Sequence, residues 1–128
     1  MGKLFFDIWT VGHFFFGVLT TSALIPSKPL LSLIITNLIH SFMEYNENNI
    51  NEINGDILQT TENHLGDIIF FFLGSLIGFF YGYRMFKNNY ILRIIVLYLS
   101  ALTLFQEVFR EIYPLDWYFD SAYKPFGW

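Results

Sequence analysis

Apolar residues fall in four runs along the chain, and the polar residues that interrupt them collect toward one end of each run. The first runs from about Leu4 to Ile25 and contains Asp7 and His13. It stops at Pro26-Ser27-Lys28-Pro29, where two prolines end a helix and force a turn. The second, Leu30 to about Met43, is short for a membrane span and crosses only if it continues through Glu44 and Glu47 or tilts. A polar, Asn-rich stretch follows from Tyr45 to His64, which reads as a loop. The third run, Leu65 to Tyr83, is long enough to span, and Arg84-Met85-Phe86-Lys87-Asn88-Asn89 reads as the next turn. The fourth extends from Tyr90 to Tyr113 and stops at Pro114. In the tail, aromatic residues from Trp117 to Trp128 mix with a few charges, a composition suited to the headgroup region.

These runs predict an all-α, integral membrane four-helix bundle forming one domain over residues 1–128, with spans at about 4–25, 30–47, 65–83 and 90–113. A soluble helical bundle is the competing reading. It fails on the third run, because Ile68 to Tyr83 has no charge on any face and a surface helix needs a polar one. A cleaved signal peptide fits the first run poorly. Asp7 and His13 break its apolar core, and no small-residue cleavage site precedes the prolines.

Composition strengthens the membrane expectation. Only 14% of the 128 residues are charged, against about a quarter in a soluble domain, and the mean hydropathy is +0.43. The net charge of −4 argues against a nucleic-acid partner, since phosphate binding needs a basic surface. With no Cys there is neither a disulfide framework nor a thiolate metal site. Membrane lipids are the expected surroundings.

With four crossings, the termini and the 45–64 segment share one side and the two short turns share the other. Lys28, Arg84, Lys87 and Arg93 lie toward the turns, against Lys3, Arg110 and Lys124 on the opposite side. The positive-inside rule then puts the turns in the cytoplasm and the termini outside it. All eleven Asp and Glu residues fall on the terminus side.

Within that side, His40, Glu44 and Glu47 are spaced i, i+4 and i+7 and share a helix face. Asn63 and Asp67 are i, i+4, with His64 three residues before Asp67. Ser100, Thr103, Glu107 and Glu111 form a stripe on the fourth run, with Arg110 beside it. His13 lies about halfway down the first helix at ~1.5 Å per residue, where an imidazole needs a partner. Intramembrane polar groups are costly and normally face the bundle interior, so the expected arrangement is one polar pocket opening toward the terminus side. The third run also carries Gly74, Gly78 and Gly82, small residues at a spacing that lets another helix approach closely. Packing within the bundle is the simpler reading of that face. A membrane-protein partner or a second copy of the chain is the other.

Glu44-Tyr45-Asn46-Glu47-Asn48 reads E-x-x-E-N; Gly55-Asp56 and Asn63-His64-Leu65-Gly66-Asp67 follow, and His13 to Gly17 reads H-x-x-x-G. Over roughly residues 10–82 this pattern resembles a family of small, uncharacterised bacterial inner-membrane proteins and, more distantly, VanZ-like membrane proteins. Glu47 stands where VanZ-like proteins have Gln, and their basic loop residue is absent here. The resemblance implies the architecture and selects residues, but it implies no reaction.

Three chemistries suit the polar residues. His40, Glu44, His64 and Asp67 are candidate metal ligands, since His and carboxylate at helical spacing can share an ion, and such an ion can activate water for hydrolysis of a lipid or lipid-linked substrate. A metal-free pocket lined by His13, His40, Glu44, Glu47, Asn48, Asn63, Asp67, Glu107 and Glu111 could instead bind a polar or cationic headgroup. The third chemistry is structural: the groups pair among themselves and fix helix register in an accessory subunit.

Overall fold

The computed structural model describes residues 5–54 and 58–109, with the backbone alone for residues 50, 51, 53, 54 and 104–109. Among the described residues the chain is entirely helical. Helix α1 spans Ile8–Leu24 and α2 spans Pro29–Asn54; α3 spans Thr61–Lys87 and α4 spans Tyr90–Phe109.

The helix ends follow local chemistry. Asp7 caps α1, accepting from the backbone N–H of Trp9 and Thr10 at 2.9 and 3.1 Å, while Thr10 Oγ1 accepts from the Asp7 N–H at 3.2 Å. This reciprocal pair is a capping box, so the helix begins after Asp7 and not at Leu4. It ends at Leu24, just before the prolines, and Pro29 opens α2 at the first helical position, where its missing N–H is no loss.

Helix α2 is longer than its apolar run. It continues through Glu44 and Glu47 to Asn54, so residues 45–54 are helical where the sequence suggested a loop. No Gly or Pro interrupts the chain before Gly55, and Asn46 turns its amide back onto the Phe42 carbonyl at 2.7 Å. Helix α3 likewise begins inside the expected loop, at Thr61, because Thr60 accepts from the Asn63 N–H at 3.3 Å and Glu62 sits in the first turn. At its other end α3 runs through one π-helical stretch, Gly78–Gly82, and on to Lys87, taking in most of the expected second turn. Asn89 starts α4 by accepting from the Leu92 N–H at 3.0 Å.

The bundle centres on the α1–α3 pair. A methyl group added at Gly17 would overlap the Phe71 carbonyl oxygen, and one added at Gly74 would overlap that of Phe14. Each glycine thus seats a turn of the opposite helix backbone. Gly78 lies against the Val18 carbonyl and the Ser22 hydroxyl of α1, and Gly82 against the Ser22 side chain, so α1 of the same chain fills the glycine face of α3. Between α1 and α2 the contact is made by hydroxyls. Thr21 Oγ1 and Thr36 Oγ1 are 2.8 Å apart, and Ser32 donates to the Thr21 carbonyl at 2.6 Å. On α4, Arg93 donates through Nε and Nη2 to the carbonyls of Ala23 and Leu24, both at 2.7 Å, and so caps the C-terminal end of α1.

Polarity is distributed inside out. Buried side chains include Thr10, Thr21, Ser32, Thr36, His40, Glu44, Asn63, Asp67 and Ser75, whereas among the described residues the buried hydrophobic ones are Ala23, Phe71 and Phe86. Large apolar side chains point outward on every helix, with Leu38 67% and Ile91 73% exposed. By length and composition one helix, Thr61–Lys87, can cross a membrane, while Ile8–Leu24 and the Tyr90–Thr103 part of α4 are shorter apolar helices.

Candidate metal centre

Three helices deliver the site. His13 comes from α1; His40, Glu44 and Glu47 from one face of α2; His64 and Asp67 from the first turns of α3. The glycine-mediated approach of α1 to α3 brings His13 within reach of groups on both neighbours. All three histidines of the chain meet here.

Glu44 is the hub. Its Oε1 lies 3.3 Å from His40 Nε2 and 3.6 Å from His13 Nδ1, and its Oε2 lies 2.9 Å from His64 Nδ1. His13 Nδ1 and His40 Nε2 face each other at 2.8 Å, and His64 Nδ1 lies 3.6 Å from Glu47 Oε2. The donors sort into two triplets with mutual separations below 4.8 Å: His13, His40 and Glu44, then Glu44, Glu47 and His64. Bond lengths of about 2.0–2.2 Å to His nitrogen and carboxylate oxygen set tetrahedral edges of about 3.3–3.5 Å; the His40–Glu44, His13–Glu44 and His64–Glu47 separations are near that edge, while His13–His40 and His64–Glu44 stand at hydrogen-bond distance.

The surroundings hold the donors in place. The His40 ring stacks on Phe71, with centroids 3.9 Å apart and planes 7° from parallel. Gln59 Nε2 donates to Glu47 Oε1, which leaves Oε2 toward His64. Gln59 is itself clamped by Asn48, whose side chain donates to the Gln59 carbonyl at 2.9 Å and accepts from its N–H at 2.7 Å. Asp67 is 1% exposed, with Thr10 of α1 beside its carboxylate. His13 Nε2 lies 3.7 Å from its Oδ2.

Several sequence expectations change. His13, Glu44 and Asp67 converge, but Asn63 turns away and donates to Asp7 Oδ2 at 3.3 Å, tying α3 to the start of α1. Asn48 serves the clamp on Gln59 and lies outside both triplets. His13 and Glu47 join the metal-capable set, while Asp67 stands beside it. His64 is bonded to Glu44 and largely buried, not a solvated loop residue. The site is a mostly buried cluster more than an open pocket, with Glu44 4% and His13 25% exposed. On α4, Thr103 is exposed and bonds back to the Leu99 carbonyl at 2.9 Å, so the expected stripe does not reach the cluster there. The side chain of Glu107, together with Arg110, Glu111 and the aromatic tail, lies outside the described residues.

Sequence reasoning passed over Phe71 and Gln59. Phe71 stands one turn after Asp67 on the same face, a legible spacing; nothing marks Gln59 in the sequence. No family model, curated protein or solved structure matches this chain.

Proposed function

We propose that this chain is a multi-pass integral membrane protein that binds a divalent metal ion through His13, His40 and Glu44. One observation carries the reading: every histidine in the chain, drawn from three helices, gathers on one buried carboxylate. Two imidazole nitrogens and a carboxylate oxygen lie within 4.8 Å of one another, close enough to hold one ion.

The inside-out distribution of polarity supports the membrane half of the proposal. In water, the outward apolar faces of all four helices would be unfavourable by about 25 cal/mol per Å². In lipid those faces are solvated, and the buried Ser, Thr and carboxylate groups act as interhelical contacts. In this reading α2 crosses with its polar extension, and the short turns with Lys28, Arg84, Lys87 and Arg93 face the cytoplasm. The centre then sits toward the non-cytoplasmic side.

Two nitrogens and one carboxylate leave a fourth position open at a tetrahedral ion, the composition of sites that activate water. Asp67, buried beside His13, is suited to receive a proton beside such a water. The reaction class is metal-assisted hydrolysis of a lipid or lipid-linked substrate reaching the centre from the bilayer. The competing function is a metal-free pocket for a cationic headgroup, with Asp67 as its anionic contact.

Metal analysis of the full chain in detergent separates the two. After loading with Zn²⁺ and removal of excess, the metal reading expects stoichiometric retention that Glu44→Gln abolishes. A folded wild-type chain that retains no Zn²⁺, Mn²⁺ or Fe²⁺ would overturn it.

A further inference from the structure

We infer that the centre is dinuclear, with the Glu44 carboxylate bridging two divalent ions. The inference rests on the metal reading above and extends it to a second position formed by Glu44, Glu47 and His64.

The two oxygens of Glu44 have different neighbours. Oε1 belongs with His13 and His40, at 3.6 and 3.3 Å, and Oε2 belongs with His64, at 2.9 Å. The imidazole of His64 is aimed at the far oxygen, with the Glu47 carboxylate beside it. A carboxylate that presents each oxygen to a separate ion holds the pair about 3.5–4 Å apart, the spacing of two-metal sites. Glu44 is the only residue shared by the two triplets.

The second position is built, not incidental. Glu47 Oε2 lies 3.6 Å from His64 Nδ1, and Gln59 fixes the other Glu47 oxygen. Gln59 is anchored by two hydrogen bonds to Asn48, so a chain of contacts from α2 across the connection supports one ligand. Such outer-shell support is characteristic of functional metal sites. Asp67 lies on the other side of His13, with its Oδ2 3.7 Å from Nε2.

Glu44, Glu47 and Asp67 place three carboxylates in and beside the cluster, with side-chain exposures of 4%, 14% and 1%. The ligand set is nitrogen and oxygen without thiolate, suited to Zn²⁺, Mn²⁺ or Fe²⁺ and not to Cu⁺.

The test is metal stoichiometry on the full chain in detergent or nanodiscs, with folding monitored by circular dichroism. Zn²⁺-loaded wild type should hold two ions per chain, His64→Asn and Glu47→Gln one each, and Glu44→Gln none. In Mn²⁺-loaded wild type, electron paramagnetic resonance should show an exchange-coupled pair, replaced in His64→Asn by an isolated-ion signal. Should the variants fail to fold, the wild-type count and Mn²⁺ spectrum decide alone. One ion per chain with an uncoupled spectrum overturns the bridge and leaves the single-metal reading standing; no bound ion overturns both.

Discussion

Glu44 and His64 are 20 residues apart in sequence, on different helices, and meet at 2.9 Å between Oε2 and Nδ1. This contact ties the C-terminal extension of α2 to the start of α3. It also turns Glu44 from a partner of His13 and His40 into a residue shared by two donor sets. Glu44→Gln keeps the volume but removes the charge and replaces one acceptor oxygen with a donor. We expect Zn²⁺ affinity to fall by more than about 100-fold, beyond the ~10–100-fold typical of losing an outer-shell partner. Chelator-competition titration measures it.

Asp67→Asn should separate metal affinity from fold stability. The change removes a buried carboxylate and keeps an acceptor oxygen for Thr10, so the metal-free protein should melt at the same or a higher temperature. Orientation of His13 weakens, and metal affinity should drop by ~10–100-fold. A lower melting temperature of the metal-free form with unchanged metal affinity would refute the positioning role.

The glycine contacts predict opposite outcomes at two positions in the same fold. Gly74→Val drives a branched side chain into the α1 backbone at Phe14, where nothing flexible can yield, and should abolish the monodisperse folded form in detergent. Gly12 has open space around its Cβ direction, so Gly12→Ala should be tolerated and gain up to about 1 kcal/mol of helix propensity. Size-exclusion chromatography and thermal melts of the pair compare them directly.

Arg93 holds the last carbonyls of α1 through two charge-assisted hydrogen bonds. Arg93→Met should lower stability by about 1.5–3 kcal/mol per bond lost, less whatever water replaces. Arg93→Lys should recover part of that, because an ammonium cannot reproduce the planar fork. Denaturation in a fixed detergent gives the order wild type, Lys, Met.

Absence of cysteine makes the topology directly accessible. Ser27→Cys lies in the exposed α1–α2 turn and Leu58→Cys in the exposed α2–α3 connection, at opposite ends of the bundle. A membrane-impermeant maleimide applied to intact cells should label Leu58→Cys, and should label Ser27→Cys only after permeabilisation. Reversed labelling would place the centre toward the cytoplasm. Labelling of both from one side would refute the crossing.

The apolar runs, the proline punctuation and the charge-free stretch from Ile68 to Tyr83 determined four helices and their approximate places. Helical spacing also determined that His40, Glu44 and Glu47 share a face, because side-chain direction in a helix is local. Two boundaries escaped that reading. Asn and Glu after Met43 suggested solvation, yet nothing there breaks a helix, and contacts with α3 keep α2 wound to Asn54.

Only the tertiary structure decided which polar groups meet. Asn63 and Asp67 lie on one helix face, yet one bonds Asp7 and the other faces His13, because the crossing of α1 over α3 puts different α1 residues above each. That crossing depends on Gly17 and Gly74 seating opposite backbones, a relationship between distant residues that no local pattern encodes. His64 joined the centre because the start of α3 also lies against α2, where Glu44 and Glu47 meet it. The sequence by itself determined that polar residues crowd one end of the bundle; the interhelical geometry decided that they form two ligand sets sharing Glu44.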